Sequence, residues 1–481
     1  MGLHFIALFR RRSLILCTIL QFKWRLLTFR CIKLPIDTPL RLTLQVFETG
    51  RWQDAMTLDF AEPQKGFDSP CRFGYESDYL VSHYEQIETL FAKAVSARVP
   101  LNWEQGALKQ APAFLYDIAP AGDAKRFLMA RIGQDKPAGI REDLFLLARS
   151  TPAPVGHMRV KEALQTESGR RAIGFERKEV VGRDNRFLEY AYEEGAAIGG
   201  ATGAGGEAPK LLLAQSSEGL LYPDAVLADE QVSQHWFVKF SRNKGLQSDQ
   251  DILRSEYHYY KAIQALGIDT VAAEGLTLED ADGIKPSLWM HRFDRSVGAQ
   301  GVERLAVESI FSLSGIAVDV AGMSHMNVLQ MLIGFWRAAG QGEQVTDLVA
   351  EYLRRDLLNK ILGNSDNHGR NISIIRGDDS LRLAPIYDLA PMVMDDAGIS
   401  RSTKWPRSLE LAGDVDWRGV CDALSQFVDP ALAFHRLRQD AEHLRALPDI
   451  LVASGLPEVT LNHPQIGLRD LDQRLKTWGL R

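Results

Sequence analysis

An α+β fold in two lobes is predicted by three features of the 481-residue chain. Short strand-like runs alternate with helical stretches up to about residue 290. Beyond residue 300 the apolar spacing turns helical, over 328–339, 345–362, 415–427 and 430–444. Only one short hairpin interrupts that second half. The expectation is an α/β amino-terminal lobe with an additional amino-terminal subdomain, then an all-helical carboxy-terminal lobe. In ranges, 1–36 is a basic and apolar extension, 37–160 the subdomain, 161–290 the first lobe and 291–481 the second.

Composition narrows the class. A chain that is 45% hydrophobic and 25% charged buries a core and is not disordered. A net charge of −6 gives no general reason to expect nucleic acid or an anionic membrane as the main partner. Cys17, Cys31, Cys71 and Cys421 are widely separated, with no C-x-x-C spacing. That supports neither a disulfide framework nor a zinc site, and a reducing cytoplasm fits.

The first 34 residues contain no acidic side chain but do contain Arg10-Arg11-Arg12, Lys23, Arg25, Arg30 and Lys33. Their apolar centre, 14–20, is shorter than the roughly 20 residues a spanning helix needs. A signal peptide lacks a convincing small-residue cleavage site here. A basic amphipathic surface helix and an extension outside the folded protein are the other readings. No integral membrane association is expected, and deletion of this segment should leave activity intact.

Residues 42–47 alternate like a strand, turned by Gly50-Arg51-Trp52. Helical runs follow at 124–132 and 142–148. A glycine-rich stretch, 195–206, then leads through Pro209-Lys210 into the apolar Leu211-Leu212-Leu213. Glycine lets backbone amides approach an anion, so this turn reads either as a phosphate cradle or as a flexible linker. The strand His235-Trp236-Phe237-Val238-Lys239-Phe240 carries one lysine. Lys239 is a snorkelling edge residue or a phosphate-binding cation. Ser248-Asp249-Gln250-Asp251 opens a helix through Ile252, Glu256, Tyr260 and Ile263, and Glu256 is either an exposed charge or the partner of Lys239.

The densest polar stretch is Asn364-Ser365-Asp366-Asn367-His368-Gly369-Arg370-Asn371, set between the apolar helix 345–362 and the β-branched run 372–375. A second strand follows the polar turn 376–380 and ends in Tyr387-Asp388-Leu389-Ala390-Pro391. A hairpin would return Asp388 to the side of Asp366 and Asn371. Two carboxylates and a carboxamide facing one cleft suit an ATP–Mg²⁺ phosphotransferase, with Asp366 orienting the attacking hydroxyl and Asn371 and Asp388 holding metal. The D-x-x-x-x-N spacing matches a protein-kinase catalytic loop, with Asp388 where the metal-binding aspartate of the D-F-G motif stands. Alone, Asn, Asp and Gly here would be ordinary turn formers. Mg²⁺ prefers oxygen donors, so His368 is expected to hydrogen-bond within the loop.

Together these motifs resemble the HipA family of bacterial serine/threonine kinases, the toxin halves of toxin–antitoxin pairs. The resemblance spans roughly 40–475 and is specific at 195–210, 236–240, 288–295 and 363–391. It implies a two-lobed protein-kinase-like fold and ATP with Mg²⁺ as cofactors. Asp366 and Asn371 would be catalytic, Asn371 and Asp388 metal-binding, and Lys239, Glu256, Gly203, Gly205, Gly206 and Lys210 ATP-binding. Leu288-Trp289-Met290-His291-Arg292-Phe293-Asp294-Arg295 matches the family's inter-lobe hinge, where Phe293 would pack on adenine and His291 replaces the usual glutamate. Several relatives autophosphorylate a serine in the glycine-rich loop; this chain has only Thr202 nearby. The block 113–160 follows the family's order of elements and contributes no residue expected to act in the chemistry.

By the same resemblance the substrate would be a protein, such as an aminoacyl-tRNA synthetase, whose phosphorylation arrests growth. A small helix-turn-helix antitoxin would be the partner, and DNA would be reached only through it. The motifs alone equally admit a kinase of the same fold for another protein, a lipid or a small molecule, and a nucleotide-binding pseudokinase.

Overall fold

Alternating burial organises the first sheet. In β1 (Leu40–Glu48) the side chains of Leu40, Leu42, Leu44 and Val46 are all buried, as a strand with one face on a core requires. β1 pairs with β2 (Arg51–Phe60) about the tight turn at Thr49 and Gly50, so Arg51 and Trp52, expected in the turn, lie in the strand. With β3 (Cys71–Tyr75), β4 (Gly106–Leu108) and β5 (Met158–Val160) they form a sheet in the order β4-β3-β2-β1-β5. The helices Gly122–Ile132 and Glu142–Leu147 follow β4 in the chain, and Leu144 to Leu147 join the core of this sheet.

The computed structural model describes residues 39–166, 172–183, 185–193, 210–241, 246–281, 283, 285–299, 301–315 and 323–481, all within one unit, Pro35–Arg481. The basic extension, Thr202, Gly203, Gly205 and Gly206 lie outside the described residues. Among those residues no helix is long and apolar enough to cross a membrane. Cys71 and Cys421 are buried free thiols.

A second five-stranded sheet runs β7-β6-β8-β10-β9. Its strands are β6 (Lys210–Ser216), β7 (Leu221–Pro223), β8 (Val232–Phe240), β9 (Thr277–Ala281) and β10 (Lys285–His291). Both faces are covered, which explains the nearly continuous apolar run in β8. Trp236, Val238 and Phe240 share a core with Phe175 and Phe187. The alternate residues Phe237 and Lys239 face the other way, and Phe237 packs with the core that holds Tyr259, Tyr260 and Ile263 of the helix Gln247–Ala265. The two-residue period of a strand therefore puts Lys239 beside that helix.

The carboxy-terminal half is built on the helices His325–Ala338, Val345–Leu362, Trp417–Ala423, Pro430–Leu444 and Leu447–Ser454. It is not all-helical. After β11 (Arg295–Gly298) and β12 (Gly301–Arg304), β13 (Ala306–Ser309) pairs with the expected hairpin. With β14 (Met323–Ser324) counted in chain order, that hairpin is β15 (Ser373–Arg376) and β16 (Leu381–Leu383). A two-strand hairpin leaves its outer backbone groups unpaired and is marginal by itself, and β13 supplies the missing edge. The resulting sheet runs β13-β15-β16.

Candidate functional site

The helix Val345–Leu362 stops at Gly363, in the left-handed conformation at φ 69°. A Cβ there would come within 2.7 Å of Ile466 and 2.9 Å of Val393, so only glycine fits this close turn. Asparagine side chains shape the loop that follows. Asn364 Oδ1 accepts the Asp366 amide at 3.2 Å, and its Nδ2 donates to the Asp388 carbonyl at 3.3 Å. Asn367 Oδ1 accepts the amides of Ser402 and Thr403, while its Nδ2 donates to the Thr403 carbonyl at 2.8 Å. Asn371 Nδ2 donates to the Asp366 carbonyl at 2.7 Å. Each carboxamide here replaces a backbone bond that a loop cannot supply.

The β15–β16 hairpin carries the chain on to Asp388. Before it, the Thr270 hydroxyl donates to the Ile386 carbonyl at 2.6 Å, and the Ile386 amide donates to the Asp269 carbonyl at 3.1 Å. Asp388 has φ +56°, a conformation that is sparsely populated outside glycine and more accessible to Asp than to most residues. Lys239 Nζ contacts its Oδ1, and Lys210 Nζ lies 3.1 Å from its Oδ2. Lys239 also reaches Glu256 Oε1 at 2.5 Å, with both side chains buried. Burial works against these charges, but the partners outweigh it. Asp388 is held well below the usual carboxylate range by Lys210 and Lys239, and Lys239 is raised by Asp388 and Glu256.

These groups open onto one cleft. Lys210, Lys239, Asn371 and Asp388 line it together with Val271, Met290, His291, Phe293 and Tyr387. Phe293 stacks on Tyr387 with ring centroids 5.5 Å apart. His291 packs edge-on against Trp236 at 4.5 Å. A Cβ on Gly275, at φ +75°, would strike the His291 ring at 2.3 Å, so glycine makes room for that histidine. A buried ion cluster adjoins the cleft: Arg292 pairs with Asp224 and Asp294 at 2.6 Å each, and Asp294 accepts the Gly156 amide at 2.7 Å.

The structure thus brings Lys239 and Lys210 together at Asp388, with Glu256 on Lys239 and with Asn371, His291 and Phe293 around the same cleft. Asp366 is linked to this group through its backbone, and its carboxylate lies 3.4 Å from His368 Nε2. His368 Nδ1 accepts the Arg370 amide at 3.3 Å, a bond within the loop. Among the described residues no cluster of three or more His, Cys, Asp or Glu is placed to hold a metal; the expected metal pair joins one carboxylate to one carboxamide.

Two contributions escaped the sequence reading. Tyr116, Asp117 and Val155 line the cleft, although no residue in 113–160 was expected to take part. Asp117 accepts the Ser309 hydroxyl at 2.6 Å and the Ser309 amide at 2.9 Å, and burial pushes its pKa up to about 6. Tyr260 is the other, buried one helical turn after Glu256; that i,i+4 spacing was the available signal.

Comparison with known proteins places this arrangement. The model of the HipA-like C-terminal domain matches residues 202–446. Y4mE of Sinorhizobium fredii, a protein named for an inferred kinase activity, is 29% identical over 135 residues. That match spans 27% of this chain and only 30% of the relative. A chain of the Shewanella oneidensis MR-1 complex of HipA, HipB and operator DNA superposes with a TM-score of 0.57 at 17% identity, covering 91% of this chain and 96% of that one. This likeness gives the shared mixed α and β fold. The Helicobacter pylori proinflammatory kinase CtkA superposes at a TM-score of 0.32 and 13% identity, over 58% of this chain and 90% of that one, and adds nothing to the assignment. With its family domain extending over residues 202–446, the chain belongs to the HipA-like C-terminal domain family.

Proposed function

We propose that this chain is an ATP-dependent serine/threonine protein kinase that passes the γ-phosphate of ATP to a protein hydroxyl. The observation that carries this reading is the meeting of Lys239 and Lys210 at Asp388, with Glu256 paired to Lys239, in a cleft that Asn371 also lines. The residues present fit the cofactor. Two lysines supply positive charge for phosphates, Val271, Met290 and Phe293 supply an apolar wall for a base, and Asn371 and Asp388 offer the oxygen donors that Mg²⁺ prefers.

In this reading Asn371 and Asp388 hold Mg²⁺, which when bound neutralises charge on the transferring group. Lys239 and Lys210 orient the phosphates, Glu256 holds Lys239, and His291 and Phe293 border the base. Gly203, Gly205 and Gly206, outside the described residues, are the candidate phosphate-binding glycines, with Thr202 the candidate for self-phosphorylation. Asp366 accepts or orients the proton of the substrate hydroxyl. The sheet of β1 to β5 is the additional subdomain (37–160), the sheet of β6 to β10 belongs to the first lobe (161–290), and 291–481 is the second.

The family supports a cytoplasmic growth-arresting toxin whose substrate is a translation component such as an aminoacyl-tRNA synthetase. The HipA–HipB–DNA assembly of Shewanella supports a helix-turn-helix antitoxin as partner, with DNA contacted through it.

The test is transfer of labelled γ-phosphate in a lysate, comparing wild type with Asp366→Asn. Labelling should fall by on the order of 10²–10⁴ in the variant, as general-base losses do. A labelled synthetase selects the toxin reading, and a labelled lipid or metabolite a different substrate. Nucleotide binding without transfer by the wild type would replace the kinase with a nucleotide-binding module.

A further inference from the structure

Asp388 is held at its backbone as well as at its carboxylate. Its amide donates to the Tyr260 hydroxyl at 2.8 Å, and that hydroxyl donates to Glu256 Oε1 at 2.6 Å. The same Glu256 oxygen meets Lys239 Nζ at 2.5 Å, and Lys239 contacts Asp388 Oδ1. The bonds close a ring: Lys239, Glu256, Tyr260, the Asp388 amide, the Asp388 carboxylate and Lys239 again. Tyr260 is 0% exposed, so its hydroxyl depends on these protein partners for its hydrogen bonds.

The geometry points to Tyr260 as a positioning residue that sets the left-handed backbone of Asp388, and hence the aim of its carboxylate, according to the state of the Lys239–Glu256 pair. This deepens the kinase reading and rests on it. A phenol is suited to the task because one oxygen both donates and accepts. The strained φ of Asp388 persists only while its neighbours hold it, and its two backbone groups are held by Tyr260 on one side and Asn364 on the other. Movement of the helix Gln247–Ala265 would therefore be passed through Tyr260 to the backbone of Asp388.

The experiment compares Tyr260→Phe with Tyr259→Phe in the full chain. Tyr259 is the control: it is the adjacent residue, 0% exposed, and its hydroxyl donates to the Leu362 carbonyl at 3.0 Å and not to Glu256. Both variants lose one buried hydroxyl. Two readouts are taken: hydrogen exchange of the Asp388 amide without nucleotide, and the Mg²⁺ concentration at half-maximal ATP binding and transfer. Tyr260→Phe alone should lose protection at Asp388 and raise the Mg²⁺ requirement by on the order of tenfold, the scale of one hydrogen bond. Equal protection and equal Mg²⁺ dependence in the two variants would overturn the role of Tyr260. A wild type that binds ATP–Mg²⁺ without transferring phosphate would overturn the kinase reading alone, and the exchange and binding data would still decide on Tyr260.

Discussion

Lys239 Nζ and Glu256 Oε1 lie 2.5 Å apart, on a strand and a helix that pack face to face, with both side chains removed from solvent. Breaking a buried pair strands a charge in a medium that solvates it poorly, at a cost of about 3–5 kcal/mol. Glu256→Gln leaves Lys239 with Asp388, so its cost should sit near the lower end, about 3 kcal/mol. Lys239→Met should cost a similar amount, and the double variant clearly less than the two together. Urea unfolding of the four proteins measures this; strictly additive losses would mean the pair is not coupled.

The cleft aromatic Phe293 stacks on Tyr387 and belongs to the stretch linking β10 to β11. If it packs on a nucleotide base, Phe293→Ala should raise KM for ATP about tenfold, since an aromatic contact contributes on the order of 1 kcal/mol beyond its area. The value of kcat should change little, because binding to the base is the same in ground and transition states. Steady-state kinetics at saturating Mg²⁺ separate the two; a fall in kcat with KM unchanged would place Phe293 elsewhere in the cycle.

Local periodicity made much of this legible. The helices expected at 345–362 and 430–444 have those limits in the structure, and β8 with its single lysine was readable from its apolar run, whereas spacing left Glu256 open between an exposed charge and the partner of Lys239. Long-range pairing was not. The short run Ala306–Ser309 carries no signal that it will complete the hairpin sheet, and Asp117 enters the cleft from an element remote in sequence. Arg376 looked like part of a polar turn, because a charged residue next to Gly-Asp-Asp is ordinarily solvated. Its burial depends on carbonyls contributed by residues 91–95, which no local pattern reveals.

That arginine has its own consequence. Arg376 is 1% exposed, donates to the carbonyls of Phe91 at 2.8 Å, Ala94 at 2.6 Å and Val95 at 3.2 Å, and pairs with Glu308 at 3.2 Å. A planar fork makes the three hydrogen bonds and faces Glu308 at once, and an ammonium cannot. Arg376→Lys should therefore destabilise the protein nearly as much as Arg376→Ala, by about 3 kcal/mol or more, with Glu308 left short of its partner. Chemical denaturation decides; a lysine variant as stable as wild type would show that charge alone holds these segments.

His157 links pH to stability. It is 2% exposed, its Nε2 donates to the Ala92 carbonyl at 2.8 Å, and burial together with the nearby Arg376 lowers its pKa to about 3. The unfolded chain protonates the same histidine near its ordinary value of about 6.5. Between these values the unfolded state holds the extra proton, so His157 favours the fold above about pH 6.5 and loses that contribution as pH falls towards about 3. His157→Gln keeps a donor for Ala92 and removes the titration. The stability of wild type relative to this variant should thus drop by about 1.4 kcal/mol for each pH unit below about 6. Urea midpoints at pH 7, 6 and 5 give the slope, and a difference that stays constant over that range would mean the imidazole is protonated as readily in the folded protein as in the unfolded chain.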